Sequence, residues 1–169
     1  MKAQAWKVIH SSDDQCWRTP PEIFEPLNAE FGFQVDAAAL ANSALLPEWY
    51  GPDNPDESKR NALDADWGKR MVWLNPPYGR EVGKWVKKAW LESTKGSFVV
   101  VLTMACTDTA WWHNYAWRAS EIRLVRGRIR FLRADGSRAN SAPKGSAILV
   151  FAPGHMGKET SAPRVVAYP

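Results

Sequence analysis

The four residues Asn75-Pro76-Pro77-Tyr78 are of types, and in an order, that suit chemistry on an amino group. They directly follow the apolar run Met71–Leu74, which predicts a buried strand. Two consecutive prolines fix φ and remove two N–H donors, so the turn is stiff and rich in hydrogen-bond acceptors. The side-chain oxygen of Asn75 and the carbonyl oxygen of Pro76 can each accept one hydrogen from a single NH2 group. Two such bonds would draw the nitrogen towards tetrahedral geometry and direct its lone pair at an electrophile.

Tyr78 ends this turn and offers a flat ring on which a planar base can stack. Ligands of open α/β sheets bind just beyond the carboxyl ends of strands, which is where the turn lies. The alternative is a proline-rich turn in which Asn75 only caps the next helix. The strand before the turn, and an amphipathic helix marked by apolar residues from Val82 to Trp90, favour a functional site.

Cap residues and hydrophobic periodicity predict the elements that position this turn. Thr19-Pro20-Pro21-Glu22 indicates a helix start, with Thr19 as the N-cap and Glu22 completing a capping box. Gly32 ends that helix. A short strand then ends at Asp36 and is followed by three alanines, and residues 47–60 have the composition of a loop.

The second half of the chain predicts one more helix and four more strands. The helix is capped by Asp108 or Thr109 and carries the aromatic residues up to Trp117. The strands are Ser97–Thr103, Glu121–Val125, Arg128–Leu132 and Ser146–Phe151. A βαβαβ order followed by strands close in sequence predicts an α/β fold, whose mixed sheet has a parallel centre and an antiparallel edge.

Composition bounds the fold class. The 169 residues, 45% hydrophobic and 24% charged, suit a single globular domain spanning 1–169, with 1–13 and 154–169 as peripheral tails. No apolar run reaches the roughly 18–20 residues of a transmembrane helix, and no secretory signal is visible at the N-terminus. Cys16 and Cys106 lie far apart and the three histidines are scattered, so reduced cysteines and no metal site are expected.

The charge is distributed unevenly. Residues 1–66 carry a net charge of −7 and residues 67–169 a net charge of +11. A basic half indicates a polyanionic partner such as nucleic acid, with a solvated face as the alternative. The candidates for holding phosphates are Arg123, Arg126, Arg128, Arg130, Arg133, Arg138 and Lys144. The ten tryptophans are interpreted mainly as core residues, and a few as base-stacking platforms.

The Asn75–Tyr78 turn resembles the (Asn/Asp/Ser)-Pro-Pro-(Tyr/Phe/Trp) motif with which S-adenosylmethionine-dependent aminomethyltransferases bind the target amino group. The wider pattern resembles the phage and prophage Dam-like DNA adenine-N6 methyltransferases over about residues 14–152. The matching segments are Trp17-Arg18-Thr19-Pro20-Pro21, residues 31–39, Asn61-Ala62-Leu63 to Trp67, residues 72–78, Asp108-Thr109-Ala110-Trp111-Trp112, Gly127-Arg128-Ile129-Arg130-Phe131 and Ser141-Ala142-Pro143-Lys144-Gly145-Ser146.

The resemblance implies a compact Rossmann-like methyltransferase fold and a set of cofactor contacts. It implies that Trp17, Thr19, Pro20, Pro21, Asp36, Ala37, Asn61, Asp64 and Asn75 contact S-adenosylmethionine. Asp36 would face the methionine or ribose moiety, the alternative being a solvent-facing cap. Asn61 or Asp64 would meet the adenine of the cofactor, the alternative again being a helix cap. The chain departs from the usual pattern because Ala37-Ala38-Ala39 replaces a glycine-rich loop.

The implied reaction is in-line methyl transfer from a sulfonium to the amino nitrogen of an adenine flipped out of duplex DNA, without a metal. The catalytic residues would be Asn75, Pro76, Pro77 and Tyr78. Cytosine N4, RNA or a protein glutamine are alternative acceptors, and a non-catalytic DNA-binding relative is the alternative from another class. Action in the cytoplasm of a bacterial host is implied, and the oligomeric state stays open, a monomer being compatible.

Overall fold

In a computed structural model, residues 17–155 and 162–169 are described, and they form a mixed α/β structure. The helices are α1 (Pro21–Phe31), α2 (Val82–Thr94) and α3 (Ala110–Asn114), with short 3₁₀ turns at Glu57–Lys59 and Ala116–Arg118. The strands are β1 (Val35–Asp36), β2 (Met71–Leu74), β3 (Phe98–Met104), β4 (Glu121–Val125), β5 (Ser146–Phe151) and β6 (Arg164–Tyr168). They form one sheet in the order β1-β2-β3-β5-β4-β6.

The sheet is mixed, but its antiparallel strand is not at an edge as predicted. β1, β2 and β3 pair in parallel, and β4 pairs in parallel with β6. β5 lies between β3 and β4 and runs antiparallel to both. All six β5 residues are buried, which is typical of a strand with neighbours on both sides. The long connection between β4 and β5 allows β5 to enter the sheet at this inner position.

The sheet separates two apolar cores because alternate strand residues point to opposite faces. On one face, Val72 and Leu74 of β2 pack with Trp85 and Val86 of α2 and with Trp112 of α3. On the other face, the core comprises Ile23, Phe24, Leu27, Trp73, Val100, Ile148, Ile129 and Phe131 among others. The helices therefore cover both faces, with α1 on the second.

Helix α1 begins differently from the prediction. Its N-cap is Pro20, with Pro21 as the first helical residue, and no side chain caps it. Thr19 and Glu22 therefore form no capping box, because the Thr19 hydroxyl bonds Asn75 instead and Glu22 pairs with Arg138. The helix end is as predicted, since Gly32 adopts the left-handed conformation, with φ 66°.

Three other predictions are corrected. Residues 128–132 form no strand, because Leu132 makes only isolated bridges, to Arg18 and to Arg138. Helix α3 ends at Asn114, and Trp117 lies in the 3₁₀ turn that follows. The tail predicted at 154–169 contains the edge strand β6, while the predicted tail at 1–13 lies outside the described residues.

Cys106 is a free, half-buried cysteine, and Cys16 lies outside the described residues.

No helix in the described ranges is long and apolar enough to cross a membrane. Within the same ranges, no group of three His, Cys, Asp or Glu side chains is arranged to hold a metal ion.

Candidate active site

The candidate site lies beyond the carboxyl ends of β1 and β2. These strands are parallel neighbours, so Asp36 at the end of β1 and Asn75 just after β2 reach the same edge of the sheet. The segment that precedes α1 closes the site, because the backbone of Arg18 bonds that of Leu132 at 2.9 and 3.0 Å. The resulting cleft is lined by Trp17, Arg18, Thr19, Asp36, Ala38, Ala39, Leu40, Ser43, Leu45, Trp73, Asn75, Pro76, Pro77 and Tyr78.

The side chain of Asn75 is held by three hydrogen bonds. Its Nδ2 donates to the Trp17 carbonyl oxygen at 3.2 Å and to Thr19 Oγ1 at 3.1 Å. Its Oδ1 accepts a hydrogen bond from the Tyr78 hydroxyl at 3.0 Å. Both amide hydrogens are therefore engaged within the protein. The oxygen, which has a second lone pair, is the atom of Asn75 that can accept a hydrogen from a ligand.

Tyr78 contributes both its ring and its hydroxyl to the site. Its ring meets Phe131 edge to face, with the centroids 5.7 Å apart, and packs against the second of the two cores. Burial raises the pKa of the Tyr78 hydroxyl well above its usual value, so the group stays protonated and acts as a donor. The sequence-based interpretation assigned only the ring to this site, and the hydroxyl bond to Asn75 extends it.

A second cavity adjoins the cleft and shares Trp17 and Tyr78 with it. Its volume is about 550 Å³ and its lining is mainly apolar. The lining residues are Trp17, Tyr78, Gly79, Met104, Phe131, Asn140, Ser141, Ala142 and Pro143. Asn75 is hydrogen-bonded to Tyr78, which lines both cavities. A group transferred between molecules bound in the two cavities would lie at this point.

Asp36 is the buried acid of the cleft, with 3% of its surface exposed. Its carboxylate accepts backbone hydrogen bonds from Ala38 at 3.3 Å and from Leu45 at 3.2 Å. Burial outweighs these bonds and raises the pKa of Asp36 to about 6. No cation among the described residues forms an ion pair with it. A ligand carrying a positive charge or hydrogen-bond donors would supply the missing partner.

Arg18 brings the opposite charge to the same cleft. Its Nε is buried and, within the part of the chain that the structure describes, has no hydrogen-bond partner. A buried donor without a partner is unfavourable, so its presence in a cleft points to a ligand. Sequence reasoning omitted Arg18, although it stands between the two predicted contacts Trp17 and Thr19.

The structure brings some predicted cofactor residues into the cleft and leaves others outside its lining. Trp17, Thr19, Asp36 and Asn75 line it. Outside it remain Pro20, Pro21, Ala37, Asn61 and Asp64, which appear in the lining of neither cavity described above.

Asn61 and Asp64 bond each other. Asn61 Nδ2 donates to Asp64 Oδ2 at 2.7 Å, and Asn61 Oδ1 accepts from the Leu63 backbone at 3.3 Å. These bonds stabilise a turn at residues 62–64, and because no helix begins there, neither residue is the helix cap that sequence analysis gave as the alternative.

The second cavity is lined in part by two segments that sequence analysis did not assign to a binding pocket. Phe131 belongs to the predicted strand 128–132, and Ser141, Ala142 and Pro143 belong to the Ser141–Ser146 segment. Charged and apolar residues alternate along 128–131 in the sequence, and this alternation was the signal that could have indicated Phe131. In the structure Ile129 and Phe131 are buried, while Arg128 and Arg130 are exposed. The loop residues carried no comparable signal.

The predicted DNA-binding residues Arg126, Arg128, Arg130, Arg133, Arg138 and Lys144 are all exposed. Arg128 and Arg130 precede Phe131 of the second cavity in the chain and make only long bonds, to the carbonyl oxygens of Ala142 at 3.5 Å and Ala139 at 3.4 Å. Lys144 Nζ lies 3.6 Å from Cys106 Sγ. The side chains of Arg128, Arg130 and Lys144 can turn towards a bound polyanion at little cost.

Other arginines are engaged within the protein. Arg123 pairs with Glu30 at 2.5 Å and with Glu121 at 2.6 Å, so its guanidinium is engaged within the protein, and its role as a phosphate contact stays a prediction. Arg138 pairs with Glu22. Arg133 donates to the Arg138 carbonyl oxygen at 2.8 Å, which fixes the loop that it belongs to.

Comparison with known proteins gives consistent matches. The family model described as "DNA N-6-adenine-methyltransferase (Dam)" matches residues 7–166. A DNA N-6-adenine-methyltransferase of Escherichia phage T1 is 29% identical over 152 residues, which cover 79% of this chain and 61% of that protein. A DNA N-6-adenine-methyltransferase of Haemophilus phage HP1 is 24% identical over 147 residues, which cover 84% of this chain and 81% of that protein. The chain thus spans about three-fifths of the length of the T1 relative.

Proposed function

This chain belongs to the DNA N-6-adenine-methyltransferase (Dam) family, and we propose that it transfers a methyl group from S-adenosylmethionine to the exocyclic amino group of adenine in DNA. The observation that carries the proposal is the placement of Asn75 Oδ1. Asn75 lines a cleft that holds two opposite charges without a charged partner among the described residues, and its Oδ1 bonds Tyr78, which also lines a mainly apolar cavity. The names of the phage relatives support adenine as the acceptor, and action inside a bacterial host cell fits their origin.

The charged groups that line the cleft suit the amino-acid end of S-adenosylmethionine, although the cleft, with a volume of about 60 Å³, must widen to hold it. This end is a zwitterion, and the cleft offers a buried carboxylate at Asp36 and the guanidinium of Arg18, whose Nε has no partner among the described residues. Asp36 would hold the ammonium or a ribose hydroxyl, and Arg18 the carboxylate. Trp17 and Thr19 line the same cleft. When bound there, the cofactor supplies an activated methyl group on a sulfonium. A cleft at the carboxyl ends of parallel strands also supports the Rossmann-like class for this sheet.

The adjoining apolar cavity suits a flipped base. Its volume of about 550 Å³ lies within the range of small-molecule pockets, roughly 300–1,000 Å³. Tyr78, Phe131 and Trp17 provide aromatic surfaces for stacking, which is worth about 1–3 kcal/mol per base. That energy offsets the few kcal/mol needed to take a base out of the duplex stack.

The turn after β2 would bind and orient the amino group. Asn75 Oδ1 and the Pro76 carbonyl oxygen each accept one of its hydrogens, and Pro76 and Pro77 keep these acceptors in place. As the nitrogen gains positive charge, both bonds strengthen, because hydrogen bonds to charged groups are about twice as strong as neutral ones. The proton can leave after transfer, so the residues need not include a general base. Tyr78 must turn its hydroxyl away from Asn75, or share the oxygen with the substrate.

The exposed arginines that precede Phe131 in the chain would hold the DNA backbone. Arg126, Arg128 and Arg130 are exposed and make at most long internal bonds. Phosphate contacts of this kind position a duplex without selecting its sequence.

Methylation with isotopically labelled S-adenosylmethionine tests the proposal. Unmethylated DNA is incubated with the purified protein, digested to nucleosides and analysed by mass spectrometry. We expect label in N6-methyladenine, and at least about 30-fold less of it in the same time with Asn75→Ala. Label in N4-methylcytosine, or transfer only to RNA or protein, would replace adenine in DNA as the acceptor. Cofactor binding without transfer to any acceptor would favour a non-catalytic relative.

A further inference from the structure

The environment of the Asn75 amide is asymmetric in a way that bears on its orientation. Its NH2 group faces two acceptors, the Trp17 carbonyl oxygen and Thr19 Oγ1, while its oxygen faces one donor, the Tyr78 hydroxyl. Thr19 is 3% exposed, so water cannot readily replace it. Thr19 precedes helix α1 and gives that helix no side-chain cap. The Thr19 hydroxyl accepts a hydrogen bond from Asn75 and makes none to the start of helix α1.

An asparagine side chain can present either its oxygen or its NH2 group in nearly the same space. Only the oxygen can accept a hydrogen from the target amino group. If the amide were flipped, its oxygen would meet the Trp17 carbonyl oxygen, acceptor against acceptor. Its NH2 group would then face the target amino group, donor against donor, and the Tyr78 hydroxyl would have to turn and accept. Leaving such buried groups unpaired is unfavourable, so the Trp17 carbonyl oxygen favours one orientation, and Thr19 Oγ1 stabilises it by accepting the second amide hydrogen.

We propose that Thr19 is a positioning residue which, together with the Trp17 carbonyl oxygen, holds the Asn75 oxygen towards the target amino group and makes this site selective for Asn over Asp at position 75. The proposal rests on the proposed function, because it assigns a role within the same methyl transfer. It differs from a cofactor contact in acting through Asn75.

The preference for Asn follows from the chemistry of the Trp17 carbonyl oxygen. That group is only an acceptor, so an ionised Asp at position 75 would place a carboxylate oxygen against it. A protonated Asp would restore the donor and reproduce the bonding of Asn. The Thr19 hydroxyl can turn to donate, but the backbone carbonyl cannot. An Asn75→Asp enzyme should therefore work through its protonated form.

The first test compares three variants by kcat and by KM for cofactor and DNA. Thr19→Val keeps the shape of the side chain but removes the acceptor, Thr19→Ser keeps the hydroxyl, and Thr103→Val is the matched control. Thr103 is a buried threonine of β3 whose hydroxyl has no partner among the described residues. We expect Thr19→Val to lower kcat about ten-fold, the effect of one lost hydrogen bond. KM for the cofactor should change less than two-fold, Thr19→Ser should recover most of kcat, and Thr103→Val should match the wild type.

Three results would overturn the proposal. The first is an unchanged kcat in Thr19→Val. The second is a higher cofactor KM at unchanged kcat, which would identify Thr19 as a direct cofactor contact. The third is an equal fall of kcat in Thr103→Val, which would indicate a general effect of core substitution.

The second test uses Asn75→Asp and keeps Thr19 intact. Between pH 8 and pH 6 its rate relative to the wild type should rise as pH falls, by up to about ten-fold per pH unit. Asp36, Arg18 and Tyr78 also line the two cavities. Asp36, whose pKa burial raises to about 6, is present in both proteins, so the rates are compared at saturating cofactor. A ratio independent of pH, or equal rates at pH 8, would contradict the selection of Asn.

A readout independent of activity separates this proposal from the proposed function. By NMR of the cofactor-free protein, the Asn75 side-chain amide protons should exchange with solvent about ten-fold faster in Thr19→Val than in the wild type, and Thr103→Val should have no effect. Equal exchange rates in wild type and Thr19→Val would overturn the proposal even if the enzyme methylates adenine. A wild type that methylates no base would refute the proposed function and leave the exchange result standing.

Discussion

Replacing Asp36 by Asn should make the folded protein more stable at pH 8 while weakening cofactor binding. Burial raises the pKa of Asp36 from 3.8 to about 6, which corresponds to about 3 kcal/mol against the ionised form. Asn has one oxygen, so either the Ala38 or the Leu45 backbone N–H loses its acceptor, at about 1–2 kcal/mol. The net gain is about 1–2 kcal/mol, or roughly 2–8 °C in Tm for a chain of this size.

The sign of the effect depends on pH. In the wild type, burial of Asp36 does not lower the free energy of unfolding below pH 3.8, which is the pKa of this group in the unfolded chain. The loss of stability grows as pH rises to about 6 and is constant above that. Asp36→Asn should therefore be the more stable protein at pH 8 and, with one bond fewer, the less stable one at pH 4. Urea unfolding at pH 4, 6 and 8 without ligand measures both. Asp53→Asn is the control, because Asp53 also accepts a backbone hydrogen bond but is exposed.

A stability difference that is the same at pH 4 and pH 8, or a less stable Asp36→Asn at pH 8, would refute the reasoning. Either result would mean that water reaches this carboxylate. Calorimetric titration with S-adenosylmethionine supplies the functional half of the test. Wild-type affinity should fall as pH drops below about 6, because protonated Asp36 can no longer pair with a cation, and Asp36→Asn should bind weakly at every pH.

Three further predictions concern the turn after β2 and the basic surface. Asn75→Ala should lower kcat by about 30- to 1,000-fold, because it removes a hydrogen bond worth roughly 2–4 kcal/mol to a nitrogen that gains charge. Titration with the cofactor should give a Kd within a few-fold of the wild-type value. Tyr78→Phe should keep most activity, whereas Tyr78→Ala should lose about 1–3 kcal/mol of stacking; equal, severe losses in steady-state assays would assign the chemistry to the hydroxyl. Replacing both Arg128 and Arg130 by Ala should weaken binding to two unrelated duplexes by similar factors and reduce the log–log salt slope by about 1.8, while Arg164→Ala, exposed on the edge strand β6, should change neither.

The parts of the fold that were predicted correctly have a strong local pattern. The bounds predicted for β2, β4 and β5 are confirmed, because each is an apolar or alternating run enclosed by turn residues. The position of the Asn75–Tyr78 turn beyond β2 was likewise evident. Strand β6 was missed, since it follows a glycine- and proline-containing segment and pairs only at the sheet edge.

Tertiary contacts overrode local preference elsewhere. Thr19 has the residue type and spacing of a helix cap, but Asn75, 56 positions along the chain, takes its hydroxyl. The segment 128–132 alternates like a strand, yet Leu132 bridges to Arg18 and Arg138 and joins no sheet. The same long-range pairing brings Phe131 to the second cavity. No spacing rule within the sequence could have indicated these partners.

The site combines rigid groups with groups that the fold leaves unsatisfied. Asn75 is fixed by three hydrogen bonds and two following prolines, so little reorganisation would be needed when the target nitrogen gains charge. Asp36 and Arg18, in contrast, are buried in part or in full without a charged partner among the described residues. The ionised Asp36 carboxylate and the buried Arg18 Nε each lower the stability of the free protein, and a ligand that pairs with both recovers that free energy on binding. Sequence alone can suggest the residue types involved, but the unfavourable state of these two groups depends on burial, which only the folded structure reveals.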